Sequence, residues 1–276
     1  MNYRHAFHAG NHADVLKHVA LLFCLDALKR KDTPFGVLDT HAGGGCYDLF
    51  SAEAMRSPEW QHGVGEIWDW PDAPPAVARL NDAVRAHNAD GALRYYPGSP
   101  LLIASALREG DTLDACELHA QEYAALRQAL GRRQGVRLHE RDGFETVSAL
   151  LPPKQRRGLV LVDPPYEDAD EVAKVTHALG LALKRFGHGV YLWWRPLKSD
   201  SELRRADAEV RTQGAEKLLR ADLWVETPAP AGRLNGSSIL VINPPFGLED
   251  ALKQALPAIA KKLSRGASGA RVTVPR

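Results

Sequence analysis

Two segments of the sequence place an acid or an amide, two prolines and an aromatic residue directly after an apolar run. They are LVDPPYE at 161–167 and VINPPF at 241–246. In the first, the Asp163 carboxylate and the Pro164 carbonyl can accept both N–H hydrogens of a purine amino group, which favours attack by that nitrogen on an electrophilic methyl group. The prolines fix φ and bring no competing N–H, so they hold these acceptors rigidly. Tyr166 offers a flat face on which an extruded base can stack.

The predicted strand directions distinguish the two segments. The runs at 220–226 and 237–243 are separated by a short connector rich in Pro and Gly, which is typical of a hairpin. If the first run is parallel to the other strands, the second is antiparallel and ends at the opposite edge of the sheet. We therefore predict that the active site contains Asp163 to Tyr166. Asn243 to Phe246 is interpreted as a strand end with a packing aromatic.

A glycine-rich segment follows the first predicted strand. FGVLD at 35–39 leads into THAGGG at 40–45, where glycine lets a ligand approach the backbone closely, but no phosphate-binding G-x-G-x-x-G follows. Glu117, at the end of the next strand, is placed where such folds bind a ribose, and Asp142-Gly143 suits an adenine edge. Together these residues predict a nucleoside-bearing cofactor without a pyrophosphate, and S-adenosylmethionine is the natural candidate.

The elements that must position these residues alternate between strands and helices. This rhythm predicts an α/β fold with a mostly parallel, doubly wound sheet and one antiparallel edge hairpin. The first two strands are separated by far more than the dozen or so residues that a crossover needs. We therefore predict a main domain formed by 1–47 and 96–276 and an inserted helical subdomain at 48–95. The basic tail beyond Lys253 is expected to be a solvated end.

The first eighteen residues are rich in basic and aromatic side chains, which favours an arm that contacts substrate or cofactor. A disordered start followed by a solvated helix face is the alternative. His8 and His12 are four residues apart, but the cap-like Asn11 places the start of a helix between them. No acid or cysteine completes a ligand set, so we predict no metal site.

Composition limits the class of protein. The net charge is +1, so contact with nucleic acid must come from local patches rather than from bulk charge. The three cysteines are Cys24, Cys46 and Cys116, and their odd number and wide spacing favour a reducing compartment. No apolar run approaches the length of a membrane span. We expect a cytoplasmic protein, without membrane contact, that acts as a monomer.

Several motifs together resemble one family. YRHAFHAGNHADVLKH, LDTHAGGG, RYYPGSP and LVDPPYE, with the insertion after the glycine-rich segment, are similar to the bacterial 23S ribosomal RNA adenine-N6 methyltransferases called ribosomal RNA large subunit methyltransferase J. The resemblance covers nearly the whole chain. It implies a Rossmann-like class I methyltransferase domain with a small helical insertion. It also implies that S-adenosylmethionine is the donor, S-adenosylhomocysteine the product, and N6 of one adenine in 23S rRNA the acceptor.

The resemblance also implies which residues form the site. Those for the cofactor are His18, His41, Gly43, Ser99, Glu117, Asp142, Gly143 and Asp163. Those for the substrate are Tyr3, His5, Lys17 and Tyr166, and those for catalysis are Asp163, Pro164 and Tyr166.

Two other functions fit parts of the sequence. A DNA adenine-N6 methyltransferase would use the same chemistry, although the near-neutral charge disfavours processive binding to DNA. A non-catalytic, competence-related protein that handles nucleic acid would not need both the acceptor motif and the cofactor residues. We expect free rRNA, before full subunit assembly, to be the better substrate, because the target adenine must leave its stack.

Overall fold

The computed structural model describes residues 4–168, 170–227 and 234–275. Its strands are β1 (Gly36–Asp39), β2 (Cys46–Asp48), β3 (Tyr95–Pro97), β4 (Thr112–Glu117), β5 (Val136–Glu140), β6 (Gly158–Val162), β7 (Val190–Pro196), β8 (Leu218–Trp224), β9 (Gly236–Ile242) and β10 (Gly269–Thr273). Its helices are α1 (His12–Lys29), α2 (Ala52–Arg56), α3 (Val64–Trp68), α4 (Pro75–Arg85), α5 (Ser99–Ala106), α6 (Ala120–Leu130), α7 (Gly143–Leu150), α8 (Glu171–Arg185), α9 (Asp200–Thr212) and α10 (Leu248–Lys262). Short 3-10 helices lie at His5–Phe7 and Glu59–His62.

One eight-stranded sheet carries the fold, in the order β10-β8-β9-β7-β6-β1-β4-β5. Five adjacent strands pair in parallel in the order β7, β6, β1, β4 and β5. Strand β9 is antiparallel to both β7 and β8. This arrangement confirms the predicted α/β class, the mostly parallel sheet and the antiparallel hairpin. Within the hairpin, β9 lies between β7 and β8, so β7 pairs with the second strand of the hairpin.

Helices cover both faces of the sheet because its central strands are apolar on both sides. One hydrophobic cluster joins the sheet to α1, α5, α6 and α10, and a second joins it to α7, α8 and α9. The Asn11 side chain caps α1 by accepting hydrogen bonds from the backbone N–H groups of Ala13 and Asp14, as the sequence predicted. No helix of the described residues is long and apolar enough to cross a membrane.

The long excursion after the glycine-rich segment contains α2, α3 and α4. It begins at β2 and ends at β3, and the antiparallel pairing of these two strands joins its ends. Apolar residues of the excursion, including Val64, Ile67 and Leu80, lie in the same hydrophobic cluster as α1. The division into a domain of 1–47 and 96–276 and a subdomain of 48–95 stays a prediction.

The prediction of a solvated C-terminal end was wrong. Helix α10 packs against α1, and β10 pairs with β8 from Gly269 to Thr273. The Arg271 guanidinium lies 2.7 Å from the Asp222 carboxylate and 2.6 Å from that of Asp200. The charge of this segment is therefore partly neutralised within the fold, because β8 and α9 provide carboxylates that the local sequence of the tail lacks.

The second Pro-Pro segment lies at the edge of the sheet opposite to Asp163, as predicted. The Asn243 N–H donates to the Lys217 carbonyl at 2.9 Å, directly before β8. The Asn243 side chain donates to the carbonyls of Gly187 and Gly189 at 2.8 Å each, directly before β7.

The aromatic residue of this segment does not pack, and that part of the interpretation was wrong. The side chain of Phe246 is 91% exposed. The two prolines carry the chain beyond the end of β9 before α10 begins at Leu248. The ring therefore lies outside both hydrophobic clusters.

Candidate active site

A cavity of about 410 Å³ opens where the carboxyl ends of β1, β4, β6 and β7 meet. Parallel strands bring their carboxyl ends to one edge of a sheet, so residues far apart in sequence converge there. The predicted site residues that line this cavity are His5, Lys17, His41, Gly43, Ser99, Glu117, Asp163, Pro164 and Tyr166.

Three predicted cofactor residues are not among those that line the cavity. His18 is fully buried, and its Nδ1 shares a hydrogen bond of 2.7 Å with the Tyr96 hydroxyl. Asp142 caps α7 by accepting a hydrogen bond of 2.7 Å from the Phe144 N–H. Gly143 is so close to the Thr40 carbonyl that a Cβ atom would not fit. One predicted substrate residue, Tyr3, lies outside the described residues.

The glycine-rich segment is fixed by the carboxylate at the end of β4. Glu117 Oε2 accepts a hydrogen bond of 2.8 Å from the Gly43 N–H, and Oε1 accepts one of 2.7 Å from the His119 N–H. Gly43 has a φ of +62°, and a Cβ there would collide with the Tyr47 hydroxyl. Burial raises the pKa of Glu117. The segment therefore presents bare backbone beside a carboxylate whose remaining lone pairs can accept hydroxyl donors.

Asp39, at the end of β1, holds a residue of the cavity and was not selected by the sequence analysis. Its side chain is fully buried, and Oδ2 accepts a hydrogen bond of 2.7 Å from the Ser99 hydroxyl. The other oxygen, Oδ1, is buried without a hydrogen-bond partner among the described residues. Burial raises the pKa of Asp39 to about 7. The signal in the sequence was an acid that directly follows a wholly apolar strand.

An ion pair connects α1 to the first Pro-Pro segment. Lys17 Nζ lies 2.5 Å from Asp163 Oδ2 and 2.8 Å from Asp14 Oδ1. Burial alone would lower the pKa of Lys17, but the two carboxylates raise it above its ordinary value. Asp163 Oδ1 accepts no hydrogen bond from any residue in the described part of the chain, so one oxygen of this carboxylate remains available to a ligand.

Asp14 is the second site residue that the sequence analysis missed. Its buried carboxylate accepts a hydrogen bond of 2.8 Å from the Gly10 N–H and lies 2.9 Å from His5 Nε2. Burial would raise the pKa of Asp14, but the charges of His5 and Lys17 hold it well below its usual range. The carboxylate thereby joins the N-terminal segment to Lys17. Its position one helical turn before Lys17 was the available signal.

Tyr166 is held in a conformation that is unusual for a residue with a side chain. Its φ is +54°, in the left-handed region. Its hydroxyl donates to the Trp194 carbonyl at 2.7 Å and accepts a hydrogen bond of 2.7 Å from Trp193 Nε1. Its ring meets that of Trp194 edge to face, with centroids 5.6 Å apart. The aromatic face beside Asp163 is therefore fixed before any ligand binds.

Two histidines of the cavity, His12 and His41, contribute little positive charge. Burial lowers the pKa of His41 to about 4 and that of His12 to about 4. Both rings are neutral at physiological pH, so neither repels a cationic ligand. Among the described residues, no group of three or more His, Cys, Asp and Glu side chains is placed to hold a metal ion.

The strand order and the cavity at the carboxyl edge are those of a Rossmann-like class I methyltransferase. The family model described as "Ribosomal RNA large subunit methyltransferase D, RlmJ" matches residues 32–274, and the chain belongs to this family. This result confirms the resemblance seen in the motifs.

Individual relatives cover nearly the whole chain. Ribosomal RNA large subunit methyltransferase J of Escherichia coli (strain K12) is 40% identical over 269 residues, which are 98% of this chain and 96% of that protein. The protein of the same name from Haemophilus influenzae is 41% identical over 264 residues, 95% of this chain and 94% of its own length. The crystal structure of protein LPL1258 from Legionella pneumophila has a TM-score of 0.89 at 31% identity and covers 97% of this chain and 98% of that one.

The buried acid at the end of β1 leads to a prediction about pH. The pKa of Asp39 is about 7 in the folded protein, whereas an unfolded Asp titrates near 4. The folded state therefore binds the proton more tightly, and the stability that this contributes is fully present below about pH 4 and is lost as pH rises to about 7. Asp39→Asn stays neutral throughout. Its free energy of unfolding, relative to wild type, should therefore increase by up to about 3 kcal/mol between pH 5 and pH 8.

Chemical denaturation of both proteins across this range measures the difference. Asp69→Asn is the matched control, because the Asp69 side chain is 87% exposed. An Asp39→Asn difference that does not change with pH would contradict the raised pKa.

Proposed function

We propose that the protein transfers the methyl group of S-adenosylmethionine to N6 of an adenine in 23S ribosomal RNA. The observation that carries the proposal is the placement of Asp163, Pro164 and Tyr166 at the edge of a cavity that Gly43 and Glu117 also line. The membership of the chain in a family named for methylation of large-subunit rRNA supports the substrate class. We further propose that the protein acts in the cytoplasm as a monomer.

The residues around the cavity suit S-adenosylmethionine. The Glu117 carboxylate can accept hydrogen bonds from ribose hydroxyls, and the bare backbone at Gly43 admits a ligand in close contact. We assign the adenine edge of the cofactor to Asp142 and Gly143 at the start of α7. Ser99, which lines the cavity, is held by its hydrogen bond to the buried Asp39 carboxyl group. When bound, the cofactor supplies an electrophilic methyl group on a sulfonium.

The acceptor amine needs two hydrogen-bond acceptors, because its lone pair is delocalised into the purine ring. We assign these roles to Asp163 Oδ1, which is open to the cavity, and to the Pro164 carbonyl. Together they favour a tetrahedral nitrogen whose lone pair points away from them. As the new N–C bond forms, the bond between the methyl group and sulfur breaks and S-adenosylhomocysteine is the leaving group. The nitrogen becomes cationic, and the Asp163 carboxylate stabilises that charge and can take up the proton that the nitrogen then loses. Holding the nitrogen in line with the methyl group supplies further acceleration.

The target base must leave its stack to reach these acceptors. Extrusion costs a few kcal/mol, and stacking on an aromatic ring recovers about 1–3 kcal/mol. We assign the stacking surface to Tyr166, whose hydroxyl is held by Trp193 and Trp194. His5 and Lys17 are proposed as substrate contacts from the N-terminal arm, and Tyr3 keeps the same proposed role from its position in the sequence.

The substrate is tested by comparing methyl transfer to protein-free 23S rRNA, mature large subunits and duplex DNA. We expect the protein-free RNA to be methylated fastest, because packed ribosomal surfaces obstruct extrusion of the base. Mass spectrometry of nuclease digests identifies the modified position on the base. Faster transfer to duplex DNA, or a methyl group on any atom other than adenine N6, would contradict the proposal.

Asp163→Asn tests the acceptor role. The amide oxygen can still accept a hydrogen bond, but it brings no negative charge to the nitrogen as that atom becomes cationic. We expect single-turnover methylation to fall by about 10² or more, while calorimetric affinity for S-adenosylmethionine stays within a few-fold of wild type. Asp168→Asn, a change of a more exposed acid in the same loop, should keep wild-type turnover. Near-normal turnover by Asp163→Asn would remove this carboxylate from the mechanism.

Asp14→Asn tests whether the second carboxylate acts through Lys17. We expect single-turnover methylation to fall by about tenfold, because Lys17 loses one of the two anions that hold its ammonium beside Asp163. In a Lys17→Met background the same change should have a much smaller effect. Equal effects of Asp14→Asn in both backgrounds would mean that Asp14 acts independently of Lys17.

A further inference from the structure

The backbone that leads to Phe246 is restrained, and the Phe246 side chain is almost entirely exposed. It is the most exposed of the large apolar side chains in the described residues. Asn243, which begins this segment, has a φ of +54° and is fixed by three hydrogen bonds to the loops before β7 and β8. Pro244 and Pro245 then restrict the backbone that leads to the ring. An aromatic ring presented on a constrained backbone loses little conformational freedom when it binds a partner.

Hydrogen bonds join the loops around Phe246 into one surface. Arg30 Nη1 donates to the Phe246 carbonyl at 3.4 Å. Arg157 Nη1 donates to the Thr33 carbonyl at 2.6 Å, which connects the loop before β6 to the end of α1. His188, before β7, shares a hydrogen bond of 2.8 Å with the Arg156 carbonyl.

Positive charge predominates on this surface. Five of its side chains are exposed cations, and none of the five forms an ion pair with another described residue. They are Arg30, Lys31, Lys154, Arg156 and Lys217. Three exposed acids, Asp32, Glu216 and Asp250, lie on the same loops or directly after Phe246 and leave an excess of two positive charges. Glu249, beside Asp250, is paired with Lys253. These five cations together with Phe246 are called the amino-edge patch below.

We propose that the amino-edge patch binds a single-stranded segment of the same RNA that is methylated at the opposite edge. Phe246 stacks on a base, and Arg30 and Lys217 contact the flanking phosphates. Aromatic rings bind bases without regard to sequence, and nearby cations add the electrostatic part of the affinity. The identity of the RNA rests on the proposed function, but RNA binding at this edge is a separate property.

The dimensions allow one RNA to reach both edges. The five residues of β6 separate the amino-edge patch from Asp163, which corresponds to about 16 Å along an extended strand. A protein partner is disfavoured because three of the five cations are lysines, and lysine is depleted from protein interfaces. Unpaired cations around a single aromatic ring match a nucleic acid better.

Affinity measurements with two RNAs test the proposal. Wild type, Phe246→Ala and the double variant Arg30→Ala/Lys217→Ala are titrated with protein-free 23S rRNA and with a short fragment around the methylated adenine. Salt is varied from about 50 to 200 mM. Val274→Ala and Arg205→Ala are the matched controls, since Val274 is an exposed apolar residue and Arg205 an exposed cation without an ion pair among the described residues, both outside the patch.

We expect Phe246→Ala to weaken binding of 23S rRNA by roughly fivefold or more, and Phe246→Trp to restore it. The double variant should reduce the dependence of log K on log salt by roughly 0.7 for each lost phosphate contact. In both patch variants, binding and methylation of the short fragment should stay at wild-type levels. The two control variants should bind both RNAs with wild-type affinity and salt dependence.

Unchanged affinity of Phe246→Ala for 23S rRNA would overturn the proposal. A loss of affinity confined to ribosomal particles that contain protein would also overturn it, since the partner would then be a protein. Binding does not require methyl transfer. A wild-type protein that fails to methylate 23S rRNA, together with a weakened Phe246→Ala complex, would refute the proposed function and leave the patch established.

Discussion

The ion pair between Lys17 and Asp163 connects the two parts of the chain on which the site depends. It joins the first turns of α1 to the end of β6, residues that are almost 150 positions apart in sequence. Both side chains are largely buried, so Asp163 depends on Lys17 for a counter-charge, and Lys17 depends on Asp163 and Asp14, because desolvation of an unpaired ion costs several kcal/mol. Each part therefore requires the other to be folded. The N-terminal segment depends on this network as well, because Gly10 and His5 both contact the buried Asp14 carboxylate.

Rigidity on the other side of the cavity comes from β7. Trp193 and Trp194 hold the Tyr166 hydroxyl, and the Arg195 guanidinium lies 4.8 Å from the Trp193 ring centroid. Arg195 is itself buried and paired with Asp207 at 2.6 Å. Breaking such a buried pair by removing one partner is strongly destabilising. The position of the Tyr166 ring is thus tied to a charge on α9, which lies outside the cavity lining.

The sequence predicted the edge of the sheet where the site lies, because the ends of parallel strands are ordered by topology alone. Asp163, Glu117 and Gly43 could be placed in this way. Asp14 and Asp39 could not, since their importance lies in burial and in partners far away in sequence. The predictions that Phe246 packs and that the C-terminal tail is solvated were wrong for a related reason. Local pattern indicates that a strand ends, but not what lies beside its end, and it did not reveal that β8 provides a partner strand for β10.

The placement of β9 between β7 and β8 has a consequence for biosynthesis. Chain synthesis proceeds at about 5–20 residues per second, so β7 leaves the ribosome seconds before β9 does. During that interval one edge of β7 has unpaired backbone N–H and C=O groups, and Trp193 lacks its partner residue on β9. Strands β8 and β10 cannot join the sheet until β9 is present. The hydrogen bonds that hold Tyr166 therefore lie on an incomplete sheet until β9 has been made.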